Sequence, residues 1–94
     1  MTDTQEAQPT ERTHYKYLAV SQYYWGRGHT QEEAVKEMRK AGFSGRIGKK
    51  TNKALLYVFP PTLVEPSVDS FGGICWYRAD TSVPFEQEPE KVWL

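Results

Sequence analysis

Cysteine is nearly absent. The chain has one, Cys75, which excludes an internal disulfide and leaves too few thiols for a structural zinc site. That usage fits a reducing compartment, so a cytoplasmic location is expected, with no metal and no cofactor. An excess of charge of either sign is also missing. Twelve Lys and Arg balance twelve Asp and Glu, so the molecule as a whole has no field that would draw it onto nucleic acid or membrane. Long apolar runs are lacking too: the longest, Ala54 to Phe59, falls far short of the ~20 residues that span a bilayer. The amino-terminal MTDTQEAQPTER is acidic and polar where a signal peptide would be basic and then apolar. No membrane association is expected.

Against these absences, 14% of the 94 residues are aromatic. Such rings give large contact area per side chain, in a core or on a recognition face. The neutral total also hides a pattern. Lys36 to Lys53 carries seven basic residues against one acid, whereas both chain ends are acidic. Residues 1–13 hold almost nothing to bury and have the composition of a disordered arm. Residues 14–80 then read as one α+β domain, and residues 81–94, acidic and broken by proline, as a partly disordered tail.

The clearest element is a helix. Thr30 followed by Glu33 forms a capping box, and Glu32 and Glu33 favour the positive end of the helix dipole. Ala34, Val35, Met38 and Ala41 make an apolar stripe, Lys36, Arg39 and Lys40 face water, and Gly42 supplies a left-handed stop. Before it, Tyr15 to Trp25 reads as one strand, with Gly26-Arg27-Gly28 as the corner that turns it into the helix. Ala54 to Phe59 and Ile74 to Ala79 read as two more strands, bounded by Pro60-Pro61 and by Gly72-Gly73.

The expected fold is therefore α+β in the order β-α-β-β: a single layer of about three antiparallel-type strands with one helix on one face. Alternate strand residues point to opposite faces. The simplest assembly puts Leu18, Val20, Leu56, Val58, Ile74 and Trp76 under Val35 and Met38. It puts Tyr15, Tyr17, Tyr23, Trp25, Tyr57, Phe59 and Tyr77 on the face opposite. That aromatic face is the candidate partner-binding surface, unless the 62–71 segment, a tail or a second copy of the chain covers it.

Other patterns are weaker. Gly26 and Gly28 suggest a dinucleotide fingerprint, but Gln31 stands where its third glycine belongs. GFSGRIGKKT lacks the glycine spacing and the Ser or Thr of a phosphate loop. Gly45-Arg46-Ile47-Gly48 matches the short loop by which KH-type domains clamp a nucleic-acid backbone, and Arg46, Lys49, Lys50 and Lys53, with Arg39 and Lys40 nearby, could neutralise phosphates. Arg27, beside His29 at the helix start, is a further anion candidate. GGICW superficially resembles a cysteine-protease nucleophile segment, yet the partners that family needs lie far downstream of where this chain stops. No nucleophile, base and stabiliser converge, so no enzyme is expected.

Residues 18 to 41, a strand followed by WGRGHTQEEAVKEMRKAG, resemble a segment common in small proteins of phages and mobile elements. More loosely they resemble the G-x-T-x-E-E-A helix start of HicB-like antitoxins, without the PDLPG turn that precedes it there. The resemblance implies a small host-interacting or defence-modulating protein that works by binding. Together with the residues, it leads to a non-enzymatic binding protein whose partner is another protein or its own copy. Nucleic-acid binding through the 44–53 loop is the alternative.

Overall fold

The structure, a computed structural model, describes residues 13–48 and 54–94. It is α+β with one helix and antiparallel sheets, in the order ββαββββ. The strands are β1 (Tyr17–Ser21), β2 (Trp25–Gly28), β3 (Ala54–Val58), β4 (Leu63–Val68), β5 (Ile74–Arg78) and β6 (Glu90–Trp93), and the helix α1 is Gln31–Ala41. Four strands form one sheet in the order β2-β1-β3-β6, and β4 and β5 pair as a separate two-stranded sheet. The helix covers one face of the larger sheet and the β4–β5 hairpin covers the other. This corrects the single-layer, three-stranded arrangement read from the sequence.

The expected first strand is a hairpin. It folds back at Ser21, whose hydroxyl donates to the Tyr24 carbonyl at 2.9 Å and accepts from the Tyr24 N–H at 3.2 Å. A serine that bonds backbone two or three residues on can make a turn without glycine or proline. Such a turn gives little warning in sequence.

Gly26 and Gly28 are consequently strand residues, not a corner. A β-carbon on Gly26 would lie 2.2 Å from the Met38 backbone nitrogen and 2.6 Å from the Ala34 carbonyl oxygen, and one on Gly28 would lie 2.8 Å from the Ala34 nitrogen. The helix rests directly on the backbone of β2. Register places Ala19 opposite Gly26 and Tyr17 opposite Gly28, so the helix seat is built mainly from small residues. Ala19, Ala34, Met38, Ala54, Leu56 and Leu94 are buried there, with Tyr17, Val35, Phe43, Ile47 and Val58 around them.

This seat reverses the expected facing of β1. Leu18 and Val20 point away from the helix into a second core with Phe59, Leu63 and Val83, closed by Trp25, Tyr57, Val68, Ile74 and Trp76. Leu56 and Val58 do lie on the helix side, as read. Residue size made the choice for β1, because the position paired with Gly26, where the helix meets the strand backbone, takes the small Ala19 and leaves the bulkier Leu18 and Val20 to the other face.

The helix termini follow the sequence. The Thr30 hydroxyl accepts from the Glu33 N–H at 3.0 Å, while the Glu33 carboxylate accepts from the His29 N–H at 2.6 Å, one residue ahead of the cap. Gly42 ends the helix at φ 135° and its N–H donates to the Arg39 carbonyl. In β4, Glu65 at φ 54° and Pro66 form a bulge between Val64 and Ser67; the bulge is what lets a proline sit inside a strand. The carboxyl-terminal segment is part of the fold and not a loose tail: Val83 and Leu94 are buried and β6 pairs along β3. Of the predicted arm, only Thr13 is described, and it is tied to β4 by bonds with Glu65 in both directions.

Candidate partner-binding surface

The hairpin disperses the predicted aromatic face. Phe59 is 1% exposed, and its ring meets Trp76 edge to face with centroids 5.9 Å apart. Trp25 and Tyr57 are half-buried beneath the β4–β5 hairpin, and Tyr17 lies on the opposite, helix side. Tyr15 stacks on His29 at 5.1 Å with the Arg27 guanidinium 4.8 Å from its ring. Tyr77, on the outer side of β5, and Tyr23, in the β1–β2 turn, are the two that stand open to solvent. The structure thus does not bring the seven rings together.

The basic candidates also separate. Arg27 donates to the Pro66 carbonyl at 2.9 Å and stacks near Trp25 and Tyr15, which ties β2 to β4. Arg39 donates to the Gly45 carbonyl and lies over Phe43, and Lys40 pairs with Glu37 at 3.2 Å. Arg46 is exposed in the loop after α1. Lys49, Lys50 and Lys53 lie outside the described residues. His14 bonds the Leu63 carbonyl through Nδ1 at 3.0 Å. No helix among the described residues is long and apolar enough to cross a membrane.

What the fold does gather is a loop end. Ser21 is paired with Ala54, so the β1–β2 turn and the start of β3 share one end of the sheet. The close of α1 is there too, since a β-carbon on Gly42 would meet the Tyr24 ring at 2.6 Å. The β4–β5 turn reaches the same end, because Val68, Asp69 and Gly72 share a cleft with Val20 to Trp25. On these turns Tyr23 is 78% and Phe71 96% exposed. Trp93, opposite Leu55 near the start of β3, is 59% exposed.

Two clefts flank the β1–β2 turn. One, of about 420 Å³, runs between Tyr23, Tyr24 and Phe43-Ser44-Gly45. The other, of about 510 Å³, runs between the same turn and Val68-Asp69-Ser70. Asp69 organises the second wall. Its Oδ1 accepts from the Gly73 N–H at 2.8 Å and from the Phe71 N–H at 2.9 Å. These two bonds, Gly73 first, hold the carboxyl below its ordinary pKa, since amides aimed at a carboxylate favour its charged form. The Cys75 thiol is exposed and lies 3.8 Å from Asp69 Oδ2.

Sequence reasoning missed Tyr24, Phe71 and Trp93. A signal existed for Phe71: a phenylalanine between Asp69-Ser70 and Gly72-Gly73 sits at the tip of a turn, where no core can reach it. Comparison with protein families, with curated proteins and with solved structures finds no match to this chain.

Proposed function

We propose that this chain is a non-enzymatic binding protein, working without metal or cofactor, that engages a protein partner through the aromatic loop end formed by Tyr23, Tyr24 and Phe71. One observation carries the reading. Two turns from different parts of the chain present nearly bare aromatic rings at the same end of the molecule, and neither ring contributes to either core. Exposed aromatics grouped in this way mark interaction sites, and Tyr is enriched at interface hot spots. The exposed single thiol fits a reducing cytoplasm. The segment resemblance to small phage and mobile-element proteins extends the reading to a host-directed partner; self-association is the other form it takes.

Capture from lysate with wild-type bait and with a Tyr23→Ala, Phe71→Ser bait tests this, alongside light scattering over a range of concentrations. A retained protein, or a dimer, that the double variant loses supports the proposal. A monomer that retains nothing, or retention indifferent to both substitutions, overturns it.

A second reading is nucleic-acid binding, favoured by Arg46 standing one residue from the cleft that Tyr23 and Gly45 line. Exposed rings beside a basic loop can stack bases while cations neutralise phosphates. Mobility-shift assays at about 50 and 200 mM salt should then show steep salt dependence, and Arg46→Ala together with Phe71→Ser should abolish the shift. Unaltered mobility of single-stranded DNA and RNA at low salt removes this reading.

A further inference from the structure

Among the described residues β6 pairs with β3 alone, so one side of Glu90–Trp93 is an open edge of the four-stranded sheet. Every residue of β6 is exposed, Trp93 by 59% and Val92 by 37%. The ladder fixes which backbone groups look outward. The Leu94 N–H donates to the Ala54 carbonyl at 3.1 Å, which makes these two a hydrogen-bonded pair, and such pairs alternate along an antiparallel ladder. Val92 with Leu56 and Glu90 with Val58 are therefore the next bonded pairs. Lys91 and Trp93, opposite Tyr57 and Leu55, turn their N–H and C=O groups to the open side.

Side chains sort by the same register, since directly opposite residues share a face of the sheet. Lys91 lies with Tyr57 on the hairpin side and Trp93, two residues on, shares that side, while Val92 lies with Leu56 on the helix side. An antiparallel strand can bond this edge only through Lys91 and Trp93. A second copy of β6 meets that condition about a twofold axis at Val92, where Lys91 of each copy stands opposite Trp93 of the other and the two Val92 side chains meet on the axis. Both opposite pairs set an ammonium against an indole, an attractive contact, and an isologous interface makes it twice. Other registers do worse: centring the axis on Lys91 opposes like charges and sets Pro89, which has no N–H, against Trp93, and centring it on Trp93 leaves only that pair within the strand. A lysine on an edge strand can serve to block pairing. An exposed tryptophan beside it serves the opposite end.

We infer that a second copy of this chain docks on β6, antiparallel and edge to edge, so that two four-stranded sheets run on as one of eight. This surface is separate from the Tyr23, Tyr24 and Phe71 loop end, and the inference stands without that reading.

An edge of four residues is smaller than a standard interface, so the dimer is weak and light scattering on the full chain should show it as the concentration approaches about 1 mM. Trp93→Lys opposes two lysines and should weaken association by roughly fivefold or more, the worth of two exposed cation–π contacts. Trp93→Glu replaces each contact with an ion pair and should associate at least about fivefold more tightly than Trp93→Lys at low salt; both remove the same ring, so a loss of fold cannot mimic the difference. In a Cys75→Ser background, Val92→Cys should cross-link between copies under mild oxidation, because facing non-bonded positions lie ~4.5 Å apart at Cα, within disulfide range, and Lys91→Cys and Trp93→Cys should cross-link far less. A monomer at about 1 mM, equal association of the two Trp93 variants, or equal cross-linking at the three positions overturns the inference. A dimer that persists in the Tyr23→Ala, Phe71→Ser chain supports it, and one that this chain loses while Trp93→Lys keeps it overturns it, so its failure is distinct from that of the loop-end reading.

Discussion

Replacing Gly26 by alanine tests the contact on which the fold is built. The added β-carbon would sit 2.2 Å from the Met38 nitrogen, where ordinary contact begins at 3.4 Å, so about 1.2 Å must open between helix and strand. Nothing on the helix can yield by changing rotamer, because the atoms met are the Met38 nitrogen, the Ala34 oxygen and the Glu37 carbonyl carbon, all backbone. A gap of 0.5–1 Å already forfeits about a quarter to a half of the dispersion energy of the atoms it separates. Ala34 and Met38, both buried against this strand, would lose contacts together. Overpacking of a close-packed site costs ~1–3 kcal/mol and occasionally more; with backbone on the far side we expect ~3 kcal/mol. The lower chain entropy of unfolded alanine offsets only ~0.4–1 kcal/mol. The net loss is then ~2–2.6 kcal/mol, and at ~4–8 °C per kcal/mol for a domain of this size the thermal midpoint should fall by roughly 8–21 °C. Gly28→Ala meets the Glu33 side chain and the Ala34 nitrogen at 2.7–2.8 Å and should cost less. Gly48→Ala, with no atom within 4 Å of the added carbon, should stay within ~0.5 kcal/mol. Urea denaturation followed by circular dichroism gives all three. Loss of under about 1 kcal/mol for Gly26→Ala, with native helicity retained, would refute the helix-on-backbone contact.

Thr30→Ala removes the oxygen that caps α1 and should lower stability by ~1 kcal/mol, read from the same denaturation curves; no change would mean that the capping bond is not made in solution. Glu65→Val puts a β-branched side chain at φ 54° and should cost a further ~1–2 kcal/mol, whereas Glu65→Gly should be tolerated; equal effects would place the strain elsewhere. Asp69 has a folded pKa below its unfolded one, so its contribution is complete above the unfolded value and is lost as acidification passes through the folded value. Thermal midpoints should accordingly begin to drop below about pH 4, less steeply in Asp69→Asn, and identical slopes would show that the turn bonds do not form. Phe71→Ser should leave stability within ~0.5 kcal/mol while removing partner capture; a large destabilisation would mean the ring is packed and not presented.

The helix was legible in full because its signals are local. Thr30, Glu33 and Gly42 act within one turn of their own positions, and Ala34 and Met38 recur at helical spacing. The strands at Ala54–Val58 and Ile74–Arg78 were legible for the same reason. The hairpin at Ser21 was not, since its turn rests on one side-chain bond and has neither glycine nor proline. β4 was hidden by Glu65-Pro66, which reads as a break until the bulge accommodates it. The loop end was legible only in pieces: Tyr23 was named, but nothing local indicates that Phe71, forty-eight positions later, reaches the same end.

The sequence by itself determined the class, the helix with both its ends, and the presence of more aromatic surface than one thin layer requires. Tertiary structure alone decided which rings are used up. Parity within a strand is a covalent property, but which parity meets the helix depends on how closely two elements approach. Here Gly26, Gly28 and Ala19 drew the helix in and sent Leu18 and Val20 the other way, under the hairpin. Among the rings left outside, Tyr23 and Phe71 at the turn tips are the ones that packing leaves at a shared end.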